Sequence, residues 1–299
     1  MAYLVGGMAM SHAPQLLMPP EKWGDLPSRT KGPFHPKADV ASYITPEAMV
    51  ANSARCHKAI DALRLQLEAW APDVVLVAGD DQHENILDDN MPPFVIYTSA
   101  KVAATRHFTY LGESGLDQMD DYDVDSELAR AILLGMMEEG FDPAWSKETR
   151  DECGLGHAFG RALNFLMPER KRAILPVMVN TYFPPAPSAK RCLAFGQALR
   201  RVIEQAPSEA RVVVLASGGL SHTKIDEKLD ADFLTALERY DVDYLAAMPA
   251  QVLVEGTSEI LNWIIAAGAM GKSARVIDYV PCYRNANGVG CAMGFATWN

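Results

Sequence analysis

Positive charge is scarce in this sequence: 27 Lys and Arg stand against 38 Asp and Glu, a net charge of -11. A nucleic-acid or anionic-membrane surface needs clustered Lys and Arg, so neither is expected as the main partner. An anionic small substrate remains compatible, because one local Arg outweighs distant acids screened by salt. No uninterrupted apolar stretch is long enough to span a bilayer. No basic segment precedes Met1-Ala-Tyr-Leu-Val-Gly-Gly-Met8, which reads as a buried first strand rather than a signal peptide. Cysteine is sparse. Cys56, Cys153, Cys192, Cys282 and Cys291 are odd in number, widely spaced and without paired zinc-ligand spacing, the pattern of reduced thiols in a cytoplasmic protein. There is also no Ser/Gly linker, repeat or charge block to divide the chain, so one domain spanning 1–299 is expected.

What is present is a 49% hydrophobic, 22% charged chain, enough for a sizeable core. Five apolar runs rich in Val and Ile read as strands: Asp73–Ala78, Phe94–Tyr97, Ala173–Val179, Arg211–Ala216 and Arg275–Val280. They are near-continuously hydrophobic rather than alternating, which predicts strands covered on both faces. Between them lie amphipathic helix patterns at Ala51–Trp70, Val124–Glu139, Gly156–Phe165, Ala189–Gln205, Lys228–Met248 and Ser258–Ala267. The interleaving predicts an α/β three-layer sandwich with a mixed, largely buried central sheet. Pro- and Gly-rich stretches at Pro19–Pro36, Phe183–Pro187 and Asn285–Gly290 read as shaped loops, the usual place for binding sites in such folds.

Four polar clusters each follow an apolar strand or open a helix: Ser11-His-Ala-Pro14, Gly79-Asp-Asp-Gln-His-Glu84, Ser217-Gly-Gly-Leu-Ser-His222 and Gly256-Thr-Ser-Glu259. Strand ends hold side chains on a rigid edge, and glycine lets a ligand approach the backbone. Two imidazoles and a carboxylate converging there suit a divalent transition metal. With open positions, that arrangement lets non-haem Fe(II) take oxygen and substrate together. Each piece has a blander reading. A strand-end His is more often a hydrogen-bonded structural residue, and a Glu near a helix start is usually a dipole partner. Ser217-Gly-Gly could be an anion nest, and Asp80-Asp81 could bind Mg²⁺.

Taken together and in this order, the clusters resemble the class III extradiol dioxygenases, the family of the protocatechuate 4,5-dioxygenase catalytic subunit, and within it the branch of 3-O-methylgallate dioxygenase. The resemblance also covers Asn180-Thr-Tyr-Phe-Pro-Pro185, Thr257-Ser-Glu-Ile-Leu-Asn-Trp263 and Asp278-Tyr-Val-Pro-Cys-Tyr-Arg284. It implies that His12 and Glu259 are iron ligands, that His222 is an acid/base beside the metal, and that His157 lines the substrate site. At one position the chain departs. The family has Asn-Asp-His after its second strand, with that His as second iron ligand, and an ungapped alignment places Gln82 there. Gln82 is the implied ligand, with His57 and His83 as replacements. The reaction implied is Fe(II)-dependent ring opening of a small catecholic aromatic acid by O₂, with Arg284 as a candidate partner for the substrate carboxylate. A homo-oligomer is expected, and any small helical partner subunit would be a separate chain, since none follows Trp298.

Two other classes compete. A hydrolase or decarboxylase using a metal-bound water would need no oxygen, and oxygen-rich ligation around Asp80 and Gln82 would favour harder ions. A binding protein with a relict site would hold no metal and be indifferent to loss of His222.

Overall fold

The computed structural model describes residues 1–26, 39–106, 119–150, 152 and 154–299. Cys153 and most of the loop expected at Pro19–Pro36 lie outside the described residues.

The strands are β1 (Tyr3–Met10), β2 (Val74–Asp80), β3 (Phe94–Tyr97), β4 (Lys101–Thr105), β5 (Met119–Asp123), β6 (Ala144–Ser146), β7 (Ala173–Val179), β8 (Arg211–Ser217), β9 (His222–Lys224), β10 (Arg275–Tyr283) and β11 (Val289–Trp298). The helices are α1 (Pro46–Trp70), α2 (Ser126–Glu138), α3 (His157–Leu166), α4 (Ala189–Gln205), α5 (Glu227–Arg239), α6 (Val242–Ala247) and α7 (Ile260–Met270). The central nine-stranded sheet runs β10-β11-β1-β8-β2-β7-β3-β6, with β9 paired to β11. Strands β1, β8, β2 and β7 are parallel, whereas β3 is antiparallel to β7 and β11 is antiparallel to β1 and β10. The sheet is therefore mixed, as expected.

Period two places alternate residues of a strand on opposite faces. In β2, Val74, Leu76 and Ala78 enter one hydrophobic core, while Val75 and Val77 enter the other. In β8, Val212, Val214 and Ala216 enter the first core, and Val213 and Leu215 the second. Helices α2, α4 and α7 supply the first core and α1 and α3 the second, which gives three layers. This double coverage is why these strands carry no polar alternation.

The five expected strands all form, as do the helices at the expected places with shifted ends. The expected helix Lys228–Met248 is two helices. Tyr240 turns left-handed at φ 50°, and Asp241 then caps α6 by accepting from the Tyr244 backbone N–H. The expected helix at Ser258 begins instead as a short 3-10 turn, Glu255–Glu259, and becomes α-helical only at Ile260.

Candidate active site

The strands that run parallel in the sheet's centre end together, and their ends carry the polar clusters. His12 lies two residues past β1 and is 3% exposed. Its Nδ1 is 3.0 Å from Ser217 Oγ, and that hydroxyl donates its one hydrogen to the Ala158 carbonyl at 2.5 Å. Ser217 must therefore accept from His12, so the proton sits on Nδ1 and Nε2 presents a lone pair. A second imidazole is fixed in the same way. His157, the first residue of α3, has Nδ1 2.8 Å from Glu84 Oε1, which also accepts its backbone N–H at 2.8 Å. The two rings meet edge to face with centroids 5.0 Å apart. Gly156 is required here, because a Cβ would lie 1.8 Å from Glu84 Oε2.

Two carboxylates complete the cluster. Asp80, the last residue of β2, is fully buried. Potential ligand atoms of His12, Asp80 and His157 all lie within 4.8 Å of one another. Glu259 is 2% exposed, accepts the Gly219 backbone N–H on Oε2 at 2.6 Å, and holds the same oxygen 3.6 Å from His12 Nε2. Its Oε1 faces His222 Nε2 at 3.1 Å. His222 Nδ1 donates to the Leu220 carbonyl at 2.9 Å, so its Nε2 aims at Glu259. Gly256 makes room for that ring: a Cβ there would fall 1.9 Å from Nε2. The Trp263 and Asn262 side chains donate to the carbonyls of Gly218 and Ser217 at 2.9 Å each, tying α7 to the loop between β8 and β9.

Burial and charge set the protonation states. Burial drives His12 down to about 3, against the raising influence of Glu259. Burial likewise holds His157 well below its ordinary value. Both are neutral at pH 7, the form that ligates a metal. Burial would also lower His222, but the Glu259 charge prevails and raises it to about 9. Burial pushes Asp80 well above the usual carboxylate range, with the Glu259 charge adding to it.

This donor set fits a divalent cation. Two imidazole lone pairs and two carboxylates converge in a dry cluster, and Asp80 Oδ1 has no hydrogen-bond partner. Uncompensated buried carboxylates are costly, and a cation removes that cost.

Gln82 is brought to the cluster, although as a donor: its Nε2 lies 3.1 Å from Asp80 Oδ2 and 3.4 Å from Glu259 Oε1. Arg284 is partly buried at the end of β10. Its charge acts on Cys291, the residue registered opposite His222. The structure does not bring His57 or His83, the expected replacements for Gln82, into this cluster. His57 is on an exposed face of α1, bonded to the Ser53 carbonyl at 2.9 Å and edge-on to Phe165, because the N-terminal half of that helix turns it to solvent. His83 sits at φ 66°, stacks on Phe183 at 3.5 Å and pairs with exposed Asp88 at 3.1 Å, turned away by the turn after β2. That turn is built by Asp81, whose carboxylate accepts the backbone N–H groups of Glu84, Asn85 and Ile86. Glu84 is what sequence reasoning passed over as a site residue, and Asp80 was weighed only together with Asp81, as a hard-ion site in the competing reading. Their only signal was membership of the acidic run after β2.

Residues 8–293 match the family described as the catalytic LigB subunit of aromatic ring-opening dioxygenase. The chain belongs to the LigB family. Among relatives, a 2,3-dihydroxyphenylpropionate/2,3-dihydroxicinnamic acid 1,2-dioxygenase of Comamonas testosteroni is 30% identical over 168 residues, 55% of this chain and 48% of that protein. A gallate dioxygenase of Pseudomonas putida is 31% identical over 160 residues, 49% of this chain and 46% of that protein. The alignment to a homologue of the first enzyme in Azotobacter vinelandii is longer, 28% over 232 residues, 76% of this chain and 66% of the other. The chain thus spans about half the length of the first two relatives. In structure it resembles an uncharacterized protein of Escherichia coli K12, with a TM-score of 0.54 at 12% identity over 98% of this chain and 99% of the other, a likeness of fold. The LigB match runs from β1 to β11 and so includes every member of the buried cluster.

Proposed function

We propose that this LigB-family protein is an Fe(II)-dependent dioxygenase that opens the ring of a small aromatic acid bearing adjacent hydroxyls, using O₂. The observation that carries the reading is the buried convergence of His12, Asp80, His157 and Glu259, with His222 against Glu259, in a chain of ring-opening ancestry. Bound among these residues, iron would supply sites where two substrate oxygens and O₂ meet on one redox-active ion.

The rest of the chemistry belongs to side chains. His222 carries a proton while Glu259 is a free carboxylate. Were Glu259 to hold a cation, His222 beside it would be the group placed to take a phenolic proton and return one. Its Nδ1–H bond to Leu220 fixes the ring for both steps. Burial of His12, Asp80 and Glu259 excludes water from the reacting centre. Arg284 stands on the His222 side of the site and would meet a substrate carboxylate bidentately. A cytoplasmic location agrees with the buried free thiols Cys56, Cys192, Cys282 and Cys291, and no helix among the described residues is long and apolar enough to cross a membrane.

The test is anaerobic purification with metal analysis, followed by oxygen uptake with protocatechuate, gallate, 3-O-methylgallate and 2,3-dihydroxyphenylpropionate. Substrate-dependent consumption of one O₂ per ring is expected. The oxygen-rich donor set around Asp80 favours one second reading, a hydrolase or decarboxylase with a metal-bound water. Product formed at full rate without oxygen would replace the first reading with that one.

A further inference from the structure

The residues after β2 raise a question of ligation. A side chain that binds metal in its neutral form must present a lone pair, yet Gln82 turns its NH₂ toward the cluster and bridges Asp80 Oδ2 and Glu259 Oε1. Its two hydrogens are matched to two carboxylates, and an amide oxygen in that place would meet two negative oxygens at close range. Asp80 is arranged in the opposite sense. It is fully buried, uses Oδ2 to accept from Gln82, and leaves Oδ1 without a hydrogen-bond partner among the described residues. Around it, His12 and His157 have their Nδ1 hydrogens turned away to Ser217 and Glu84, so the nitrogens nearest Asp80 offer lone pairs. The buried guanidinium of Arg161 is directed to the carbonyls of His12 and Arg106. Among the described residues nothing donates to Asp80 Oδ1, which is the environment of a ligand rather than of a structural acid. Asp81 beside it is the structural acid, accepting three backbone N–H groups.

We propose that Asp80 is a metal ligand of this site, standing in for the imidazole that the family carries at the position of Gln82, and that Gln82 is a positioning residue holding Asp80 and Glu259 together. The inference rests on the reading of the cluster as a metal centre. It couples two departures from the Asn-Asp-His pattern, a carboxylate gained at 80 and an imidazole lost at 82. The consequence is a site with two anionic oxygen donors and correspondingly harder character, so Mn²⁺ competes better against Zn²⁺ than in an imidazole-rich site.

The experiment uses the metal-stripped full chain, titrated anaerobically with Fe²⁺, Mn²⁺ and Zn²⁺ by calorimetry and followed by thermal unfolding. Four proteins are compared: wild type, Asp80→Asn, Gln82→Ala and the double variant Asp80→Asn/Gln82→His. Wild type should bind one ion per chain. Asp80→Asn should bind Fe²⁺ at least 100-fold more weakly, while Gln82→Ala stays within about tenfold of wild type, the range of a lost supporting contact. The double variant should recover Fe²⁺ binding and lose the preference for Mn²⁺. Thermal unfolding gives an independent sign. Without metal, Asp80→Asn should melt no lower than wild type, because a buried carboxyl with an unpartnered Oδ1 gives way to an amide of the same shape; with metal it should melt lower. A merely structural Asp80 would lower both. Undiminished affinity in Asp80→Asn together with loss in Gln82→Ala overturns the proposal and makes Gln82 the ligand. Absence of any binding by wild type removes the metal centre itself, a distinct result.

Discussion

At the scale of single residues, the site is a set of imidazoles distinguished by what holds their second nitrogen. His12 gives its Nδ1 hydrogen to a hydroxyl, His157 to a carboxylate and His222 to a backbone carbonyl. Of the three, His222 brings Nε2 to hydrogen-bond distance of Glu259, 3.1 Å against 3.6 Å for His12, and only His222 is raised in pKa. His222→Gln should cut turnover by about 100- to 10,000-fold, the usual worth of a general acid/base, with metal content unchanged. Metal loss in that variant would make His222 a ligand instead. The same pair has a pH signature. A folded value of about 9 lies above the ordinary 6.5, so the contribution of His222 to stability is complete below pH 6.5 and lost as pH rises through 9. Denaturant unfolding of metal-free protein should therefore show wild type losing stability relative to His222→Gln between pH 6.5 and 9.5, by roughly 3 kcal/mol at full titration. Parallel curves for the two proteins would exclude a charged His222–Glu259 pair.

At the scale of elements, the site depends on contacts among β1, β8 and α3. Ser217 closes β8, receives the His12 hydrogen from beyond β1 and donates to Ala158 in α3. Ser217→Ala leaves His12 without its acceptor, so metal affinity should fall about 10- to 100-fold while the fold persists. Equal affinity in equilibrium dialysis would show that ring packing alone orients His12. Much at this scale was legible in the sequence. Runs such as Arg211–Ala216 read as strands buried on both faces, and the resemblance carried by the clusters after them pointed to His12, His222 and Glu259, which the structure brings together. Strand β11 was not legible, because Gly290, Gly294, Ala292 and Ala296 dilute its β-branched signal, and its place in the sheet is set by tertiary pairing. Asp80 was hidden for a different reason. Asp80 and Asp81 look alike in sequence, and only the direction of each side chain separates a ligand from a turn-builder.

At the scale of the whole molecule, metal binding would be linked to folding, because the candidate donors come from residues 12, 80, 157 and 259 and converge only in the native chain. An ion present at a hundred times its dissociation constant stabilises by about 2.7 kcal/mol. For 299 residues this corresponds to a rise in Tm of about 4 °C, taking about 2.1 cal/mol/K of unfolding entropy per residue. Chelation should lower Tm by that amount, and added Fe²⁺ or Mn²⁺ should restore it. A Tm indifferent to both would separate the cluster from any tightly held ion.

The position of β11, between β10 and β1, sets the order of events during translation. The C-terminal strand of the described residues is not an edge but an interior member of the sheet, hydrogen-bonded on both sides. His12 leaves the ribosome early and must wait for Glu259, 247 residues later (259 minus 12), roughly 12 to 50 s at ordinary elongation rates. Through that interval β1 has β8 at most as a neighbour and lacks its other partner. Until β11 is made the β1 edge stays open to mispairing, and an ion needing both His12 and Glu259 would be held only once residue 259 has emerged.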